Sequence, residues 1–547
     1  MTDHLMTRRE LLAAFLGVPV ALSACGSSVA PSLPDGEIVG VSDVIGHKIR
    51  DGLRVQPDND KWVRTGVVIV GGGVAGLSAA WHLQKSGFEN FVLLELEPAP
   101  GGTARSGSNP SAVVPYPWGA HYVPAPLKEN VRLISLLSEM GVIEGADANG
   151  NPIVAEQFLC RDPEERIFYK GRWYEGLYLH AGADKNELSQ LDKFNTEIGN
   201  WVEWRDSKGR RAFAIPISNS SDDAQVTALD KISMSSWLQS NKLDSPRLRW
   251  LVDYGCRDDY GLTIDQTSAW AGLFYFASRV THRGAESQPV ITWPEGNGRL
   301  VSYLYNKSKE KVRLGFAATE VIPTSAEGVD VVAVDHDGRN PIGFHADRVI
   351  FAGPHFLTRY LVRPYKDNPP SYTSEFQYGA WMVANLVLRD RPKDLGFPLA
   401  WDNVLYESPA LGYVVATHQR GLDHGPTVFT YYYPLCDADP RVARARLLST
   451  DRSGWADIAL SDLERAHPTI RSLCTRLDVM RWGHAMIRPR PGFIWGGARS
   501  RAQQPFRGIH FAHTDLSGIA LFEEAFDHGV RAAQEVLREF KQLRSSA

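Results

Sequence analysis

The chain has 547 residues, 43% of them hydrophobic and 22% charged, the balance of an ordinary globular protein with room for about two sizeable domains. Its net charge is −4 with no basic block, which argues against a nucleic-acid partner. No run of about 18 or more apolar residues occurs, so no membrane-spanning helix is expected.

At the amino end, Thr7-Arg8-Arg9-Glu10-Leu11-Leu12 resembles a twin-arginine export motif. Leu11 to Leu22 is an apolar stretch too short to span a membrane. Leu22-Ser23-Ala24-Cys25 resembles a bacterial lipobox, which implies that Cys25 is lipidated and becomes the first mature residue. The alternative is a small-residue cleavage site with an incidental cysteine. Together these resemblances imply export of a folded protein to the periplasmic side, lipid-anchored to a bacterial membrane. Residues 26–60, rich in Pro, Gly, Ser and Asp, read as a tether. Cys160, Cys256, Cys436 and Cys474 are widely spaced without C-x-x-C, which excludes an obvious iron–sulfur, zinc or c-type haem site. No metal is expected, and disulfides and free buried thiols both remain open for these four.

The next stretch organises the rest. Val67-Val68-Ile69-Val70 has the β-branching of a buried parallel strand. Gly71, Gly73 and Gly76 follow it as G-x-G-x-x-G: one glycine for the tight turn, one for backbone approach to a pyrophosphate, one for helix–strand packing. A helix beginning near Val74 and Ala75 aims its free N–H groups at the phosphates. Ala75, Ala79 and Leu83 give it one apolar face, and Gly87 ends it. Phe91 to Leu94 is a second buried strand. Glu95 stands at its end, at about the 20-residue distance expected of a carboxylate that binds ribose hydroxyls. Strand, glycines, helix, strand and acid in this order indicate a dinucleotide site.

Gly101-Gly102-Thr103-Ala104-Arg105-Ser106 comes next. With it the chain resembles the FAD-dependent flavoprotein superfamily of amine oxidases and phytoene desaturases. The resemblance implies a Rossmann-like FAD-binding domain of glutathione-reductase type, an α/β fold with an inserted α+β substrate domain. It implies that Gly101, Gly102, Thr103 and Arg105 carry the chain past the FAD pyrophosphate. It also implies that the aromatic segment from Pro115 to Tyr122, with Trp118, Gly119, Ala120 and His121, passes beside the isoalloxazine ring. A packed aromatic loop accounts for the same residues.

Helices are expected over Asn130 to Met140 and Ser235 to Asn241, with an aromatic run from Trp270 to Phe276. Trp293 to Leu300 reads as a turn and helix start. Val312 to Leu314 and Glu320 to Ile322 are strands, and the resemblance implies that Val321 lies where the backbone meets the adenine. Val329 to Val334 and Ala346 to Phe351 form a hairpin through Asp337-Gly338, running into Ala352 and Gly353 beside the adenine. Strands follow at Gln377 to Leu388 and Thr427 to Tyr433. The block Arg481 to Met486 resembles the family segment that faces the flavin across the substrate cavity, which makes Trp482 and His484 the catalytic candidates. A structural histidine is the competing reading of His484. Ile509 to His513 is a strand, and Asp515 takes the family's ribityl-binding acid. The last helix starts near Phe522, with Glu524 and Ala525 at the flavin-facing turn. The family usually has Gly where this chain has Glu524.

The expected organisation is an export segment at 1–25, the tether at 26–60, FAD-binding parts at 61–125, 310–360 and 490–547, and substrate-domain parts at 126–309 and 361–489. The implied function is FAD-dependent removal of hydride from a C–H bond of a small substrate, an amine or polyamine first. A desaturase-like enzyme of isoprenoids or lipids, or an electron-carrying flavoprotein with a protein partner, are the alternatives. The acceptor is oxygen, a quinone or a redox protein. The family lysine near the flavin has no match, which leaves oxidase and dehydrogenase both open. Interior acids beside aromatics favour the amine, and a long apolar tunnel favours the lipid.

Overall fold

The computed structural model describes residues 33–325 and 328–546. Arg8, Arg9, Cys25 and the start of the expected tether lie outside the described residues. In chain order come helix α1 (Asp43–Arg50), strand β1 (Trp62–Val70), helix α2 (Val74–Lys85) and strand β2 (Phe91–Glu95). An excursion follows with β3 (Glu165–Tyr169), β4 (Arg172–Glu175), α3 (Pro246–Tyr260), α4 (Ala269–Ala277) and α5 (Gly298–Ser308). The chain returns through β5 (Val312–Leu314), β6 (Phe316–Pro323), β7 (Val329–Asp335) and β8 (Ile342–Phe351). It leaves again through β9 (Tyr378–Leu388), β10 (Asp402–Leu405), β11 (Gly412–Val415), β12 (Thr427–Pro434) and β13 (Cys474–Ile487), and closes with β14 (Ile509–Phe511) and α6 (Phe522–Ser546).

The first sheet has the order β5-β2-β1-β8-β7-β6, with β14 also paired to β8. Strands β5, β2, β1, β8 and β14 are parallel, and β7 and β6 are antiparallel additions. Val67, Val68 and Ile69 are fully buried, as expected of a strand covered on both faces. β8 is shared. Its first half pairs with β7 and its last three residues with β14. Helices α2 and α6 lie against each other, and a Cβ added to Gly529 would fall 2.2 Å from the Ala75 carbonyl oxygen. Only glycine permits that approach.

The second sheet has the order β13-β9-β12-β11-β10-β3-β4 and is antiparallel except between β10 and β3. β9 is buried along its whole length, the place for the run Ala380 to Leu388.

Two expected boundaries need correction. Residues 34–60 are not a free tether. Leu477 N–H donates to Asp35 O at 2.7 Å, Val479 N–H to Glu37 O at 2.8 Å, and Val39 N–H to Val479 O at 2.9 Å. The segment thus adds a strand-like edge to β13, satisfying an edge that otherwise presents unpaired amides and carbonyls. Ile45 and Ile49 of α1 are buried. Polar composition concealed this docking, because strand addition uses the backbone. The second correction concerns 126–309. Helix α5 belongs with the dinucleotide domain, since Leu300, Val301 and Leu304 share a buried cluster with Val67, Leu77 and Leu83. The four cysteines Cys160, Cys256, Cys436 and Cys474 are free thiols.

Candidate functional site

The carboxyl ends of β2, β1, β8 and β14 converge, the position at which such sheets bind nucleotides. Gly71 follows β1 with φ +105°. Gly71 N–H donates to Leu94 O at 2.9 Å and Ala352 N–H to Val70 O at 2.8 Å, which binds the three strand ends together. Gly73 is the N-cap of α2, without a side-chain cap. A Cβ there would point into open space, and one on Gly102 would meet only the Gly73 Cα at 3.5 Å. Gly73 and Gly102 therefore border one open groove at an uncapped helix N-terminus, a cradle suited to a pyrophosphate. Val74, Ala75 and Gly76 form the first turn of α2 beneath it. Gly101 holds the second side through its N–H to Gly72 O at 2.8 Å, and Thr103 is exposed at the rim.

Glu95 accepts hydrogen bonds from Gly72 N–H at 2.6 Å and Glu97 N–H at 2.8 Å. Burial pushes its carboxyl above the usual range, and these amides pull the other way. The two amides hold the carboxylate at the rim where a ribose would lie. Arg105 is turned aside. It pairs with Glu97 at 3.1 Å and its guanidinium lies over the Trp482 ring at 5.4 Å. These residues, with the fold around them, fit FAD.

The remaining site residues divide between this cleft and its supports. Val321 is fully buried in β6, opposite Val331. Gly353 follows Ala352 at the end of β8. Asp515 accepts from His355 N–H at 2.7 Å and from Tyr378 Oη at 2.6 Å, and pairs with His513 at 2.9 Å. Burial alone would raise its carboxyl, but His513, Tyr378 and the His355 amide together hold it below the usual range. Glu524 is turned away from solvent, accepting from Ile217 N–H at 2.7 Å and from Ser517 Oγ at 2.5 Å, and burial pushes it up to about 8. Ala525 N–H bonds Leu521 O in the same turn. Trp482 is a packing residue, its indole N–H donating to Trp118 O at 2.6 Å. His484 stands in a bulge of β13 and stacks on Phe356 at 4.2 Å. Its side chain is exposed; desolvation first, then Arg444, lowers its pKa, so it is neutral near pH 7.

A second feature adjoins the end of the aromatic segment. A cavity of about 1120 Å³ is bounded by β3 and β10, by α3 and the end of α4, and by His121 and Tyr122. Ligand pockets commonly reach about 300–1,000 Å³. Trp401 stands edge-on to Tyr122 at 5.7 Å and tilted to His121 at 5.3 Å. Tyr432 Oη donates to Gly119 O at 2.8 Å, fixing the segment from behind. Burial takes His121 down to about 4, so it adds no positive charge. Seven carboxylates line the cavity, among them Glu165, Asp258 and Asp402, against one cation, Arg279. That cation is matched by Asp259 at 2.7 Å. Burial first, then the neighbouring acids, pushes Glu165 up to about 8. Burial takes Asp402 up to about 7, against the hydrogen bond that Tyr254 Oη donates to it at 3.0 Å. Neither Trp482 nor His484 lines this cavity. Of the aromatic segment only His121 and Tyr122 do.

Glu165, Asp258 and Asp402 were not singled out in the sequence. Their available signal was an acid next to or one helical turn from an aromatic residue, as in Trp401-Asp402 and Tyr254 with Asp258. That signal is common in unrelated cores.

Comparison with known proteins bears on the fold. The description "NAD(P)-binding Rossmann-like domain" matches residues 69–139. No curated protein sequence matches the chain. Wild-type putrescine oxidase bound to putrescine superposes with a TM-score of 0.62 at 17% identity, covering 87% of this chain and 100% of that one. Cyclohexylamine oxidase from Brevibacterium oxydans IH-35A gives 0.60 at 15% identity, covering 87% and 99%. A CLA-producing fatty acid isomerase from P. acnes gives 0.59 at 14%, covering 86% and 98%. The fold is that of these enzymes. Its α/β class, with a Rossmann-like domain and an inserted second domain, agrees with the sequence expectation.

Proposed function

We propose that the protein is an FAD-dependent oxidoreductase that removes hydride from the carbon beside an amine nitrogen. The observation that carries the amine is the cavity of carboxylates beside aromatic rings, His121 and Tyr122 among its lining residues. Aromatic faces attract a cationic amine by about 0.5–2 kcal/mol, and ionised acids attract it further. An apolar tunnel, which a lipid substrate needs, is a poor description of such a lining. The fold neighbours named for putrescine and cyclohexylamine support the same reading.

FAD held along Gly71, Gly73, Glu95, Gly101 and Gly102 supplies the hydride acceptor. The protein supplies the rest. His121, Tyr122 and Trp401 form flat walls that orient the reacting carbon and exclude water. The neutral His121 adds no charge against the imine that leaves, and that imine then hydrolyses. No metal ligand cluster occurs among the described residues. Anaerobic mixing tests the reading: amines should bleach the flavin, and fatty acids and isoprenoids should not. Bleaching by lipids alone would overturn it.

The proposal includes export by the twin-arginine route and lipid attachment at Cys25, supported by Arg8, Arg9 and the lipobox-like residues before Cys25. Cys25→Ala should move the protein from the membrane to the soluble fraction. The unaltered protein found soluble in the cytoplasm would count against it.

A further inference from the structure

Pro34 is held at one place on the folded body. The Arg452 guanidinium donates to Pro34 O at 2.8 Å and to Leu477 O at 3.3 Å. Arg452 stands just beyond the helix Pro440–Ser449, whose sequence Pro-Arg-Val-Ala-Arg-Ala-Arg-Leu-Leu-Ser carries three arginines and no acid. Ala443 and Leu447 are its buried side. Arg441, Val442, Ala445, Leu448 and Ser449 are exposed and fall on the opposite arc. Val442 is 60% and Leu448 44% exposed. Arg444 and Arg446 border that arc, one on each side.

The basic groups around this helix are short of partners. The guanidiniums of Arg444, Arg452 and Arg481 donate only to backbone carbonyls, those of Tyr378, of Pro34 and Leu477, and of Leu448. Neither they nor Arg441 enter an ion pair among the described residues, and Arg446 alone is paired, with Asp437 at 3.5 Å. The other two carboxylates of this face, Asp439 and Asp451, are helix caps that accept backbone N–H groups. The face is therefore positive in a chain whose net charge is −4. An apolar strip bordered by arginines on a convex helix suits an anionic lipid surface, where the cations meet phosphates and the strip enters the acyl boundary.

The length of chain before Pro34 says why a bilayer would meet this face. Nine residues lead from Cys25 to Pro34, a reach of at most about 30 Å when fully extended. A body of the length that follows Pro34 has a radius of gyration of about 24 Å and so measures about 60 Å across. A lipid on Cys25 therefore brings the surface around Pro34 to the membrane and keeps the far side away. We propose that the exposed face of the helix Pro440–Ser449, with Arg452 and Arg481 beside it, docks on the surface of an anionic lipid bilayer, the arginines on lipid phosphates and Val442 and Leu448 at the acyl boundary. This rests on the lipid-attachment reading above and adds an orientation to it. The lipid holds the body, and the face sets which side meets the membrane. Surface charge attraction fades within a Debye length, so at physiological salt the face without the lipid releases the bilayer.

Vesicle sedimentation tests this on the full chain carrying Cys25→Ala, which removes lipid attachment. At low ionic strength that chain should bind vesicles of mixed phosphatidylglycerol and phosphatidylcholine about tenfold or more tightly than vesicles of phosphatidylcholine alone, and added salt should release it. Adding Arg441→Gln, Val442→Ser and Leu448→Ser should weaken the binding by about tenfold or more. The melting temperature should stay the same, because all three side chains are exposed. Leu395→Ser is the control. Leu395 is also exposed, but its carbonyl accepts from Trp173 of β4, at the edge of the second sheet opposite β13, and its replacement should leave vesicle binding unchanged. Equal binding to the two kinds of vesicle, or binding unchanged in the triple variant, would overturn the proposal. Vesicle binding as expected, together with an unaltered protein that fractionates as soluble in the cytoplasm, would remove the lipid-attachment reading alone. Lipid found on Cys25, together with vesicle binding unchanged in the triple variant, would remove the docking face alone.

Discussion

The backbone N–H of Ser42 donates to Glu97 Oε1 at 2.8 Å. Glu97 Oε2 meanwhile pairs with Arg105 at 3.1 Å, and both side chains of that pair are largely buried. One carboxylate thus ties the amino-terminal segment to the chain that leaves the Gly101–Gly102 turn. Removing it leaves an uncompensated buried guanidinium, which costs on the order of 3 kcal/mol. Glu97→Ala should lower the melting temperature and speed FAD release, read from the rise of free-flavin fluorescence. A variant with unchanged melting and release would show that the segment is held by its pairing to β13 and the burial of Ile45 and Ile49 without help from Glu97.

The glycine cradle gives a cleaner separation of folding from cofactor binding. Gly73 has φ −69°, which any residue adopts, and nothing lies within 4 Å of an added Cβ. Gly73→Ala should therefore leave the stability of the FAD-free protein unchanged or raise it by about 0.4–1 kcal/mol, while FAD retention falls because the methyl occupies the pyrophosphate groove. Glu95→Ala should lower retention as well, by about 1.5–3 kcal/mol for a charge-assisted hydrogen bond. Equal FAD affinity in both variants would place the dinucleotide elsewhere.

The dinucleotide half of the site was legible because its signals are local. Val67 to Val70, Gly71, Gly73 and Glu95 act through a strand, a turn and a helix start within one contiguous stretch. The cavity was not legible. Asp258 comes from a helix, Glu165 and Asp402 from neighbouring strands far apart in the chain, and only the parallel pairing of β3 with β10 brings Asp402 opposite Glu165. The docking of residues 35–39 was hidden for a related reason, since backbone pairing to β13 leaves no hydrophobic pattern. Glu524 shows the opposite case. Its departure from the family glycine was visible, but the direction of its side chain, towards Ile217 and Ser517, depends on the fold.

The raised acids predict how stability follows pH. An acid whose folded pKa lies above its unfolded value binds more protons when folded. Its contribution is present below the unfolded value and is lost as pH rises through the folded one. For Glu165 the window runs from about 4.5 to about 8, and for Asp402 from 3.8 to about 7. The protein without amine should accordingly lose melting temperature as pH rises from about 6.5 to 8, above the range in which lowered histidines such as His121 add stability. Glu165→Gln should flatten that slope, because an amide cannot ionise. Differential scanning fluorimetry across this range gives the answer, and a slope identical in the variant would mean that Glu165 titrates normally.

Trp482 and His484 remain to be placed in the reaction, and their surroundings now separate them. Trp482 holds Trp118 by its indole N–H at 2.6 Å and carries the Arg105 guanidinium on its ring. Trp118 is itself buried, three residues before the cavity-lining stretch His121 to Tyr122. Trp482→Phe keeps an aromatic ring in place but loses the hydrogen bond, worth about 0.5–1.5 kcal/mol, and part of the indole's buried volume, so it should leave FAD bound and slow flavin reduction modestly through a displaced segment. Trp482→Ala opens a cavity of indole size and should cost about 3–5 kcal/mol of stability. His484 is different. With its imidazole pushed down by desolvation and by Arg444, it stays neutral from about pH 7 to 9. His484→Ala should therefore preserve the shape of the pH profile of flavin reduction over that range, whatever it does to the rate. That profile should instead change in Asp402→Asn, which removes an acid at about 7. Stopped-flow reduction by spermidine at several pH values compares the two. A profile altered by His484→Ala and unaltered by Asp402→Asn would return the titrating group to the cleft and take it away from the carboxylate cavity.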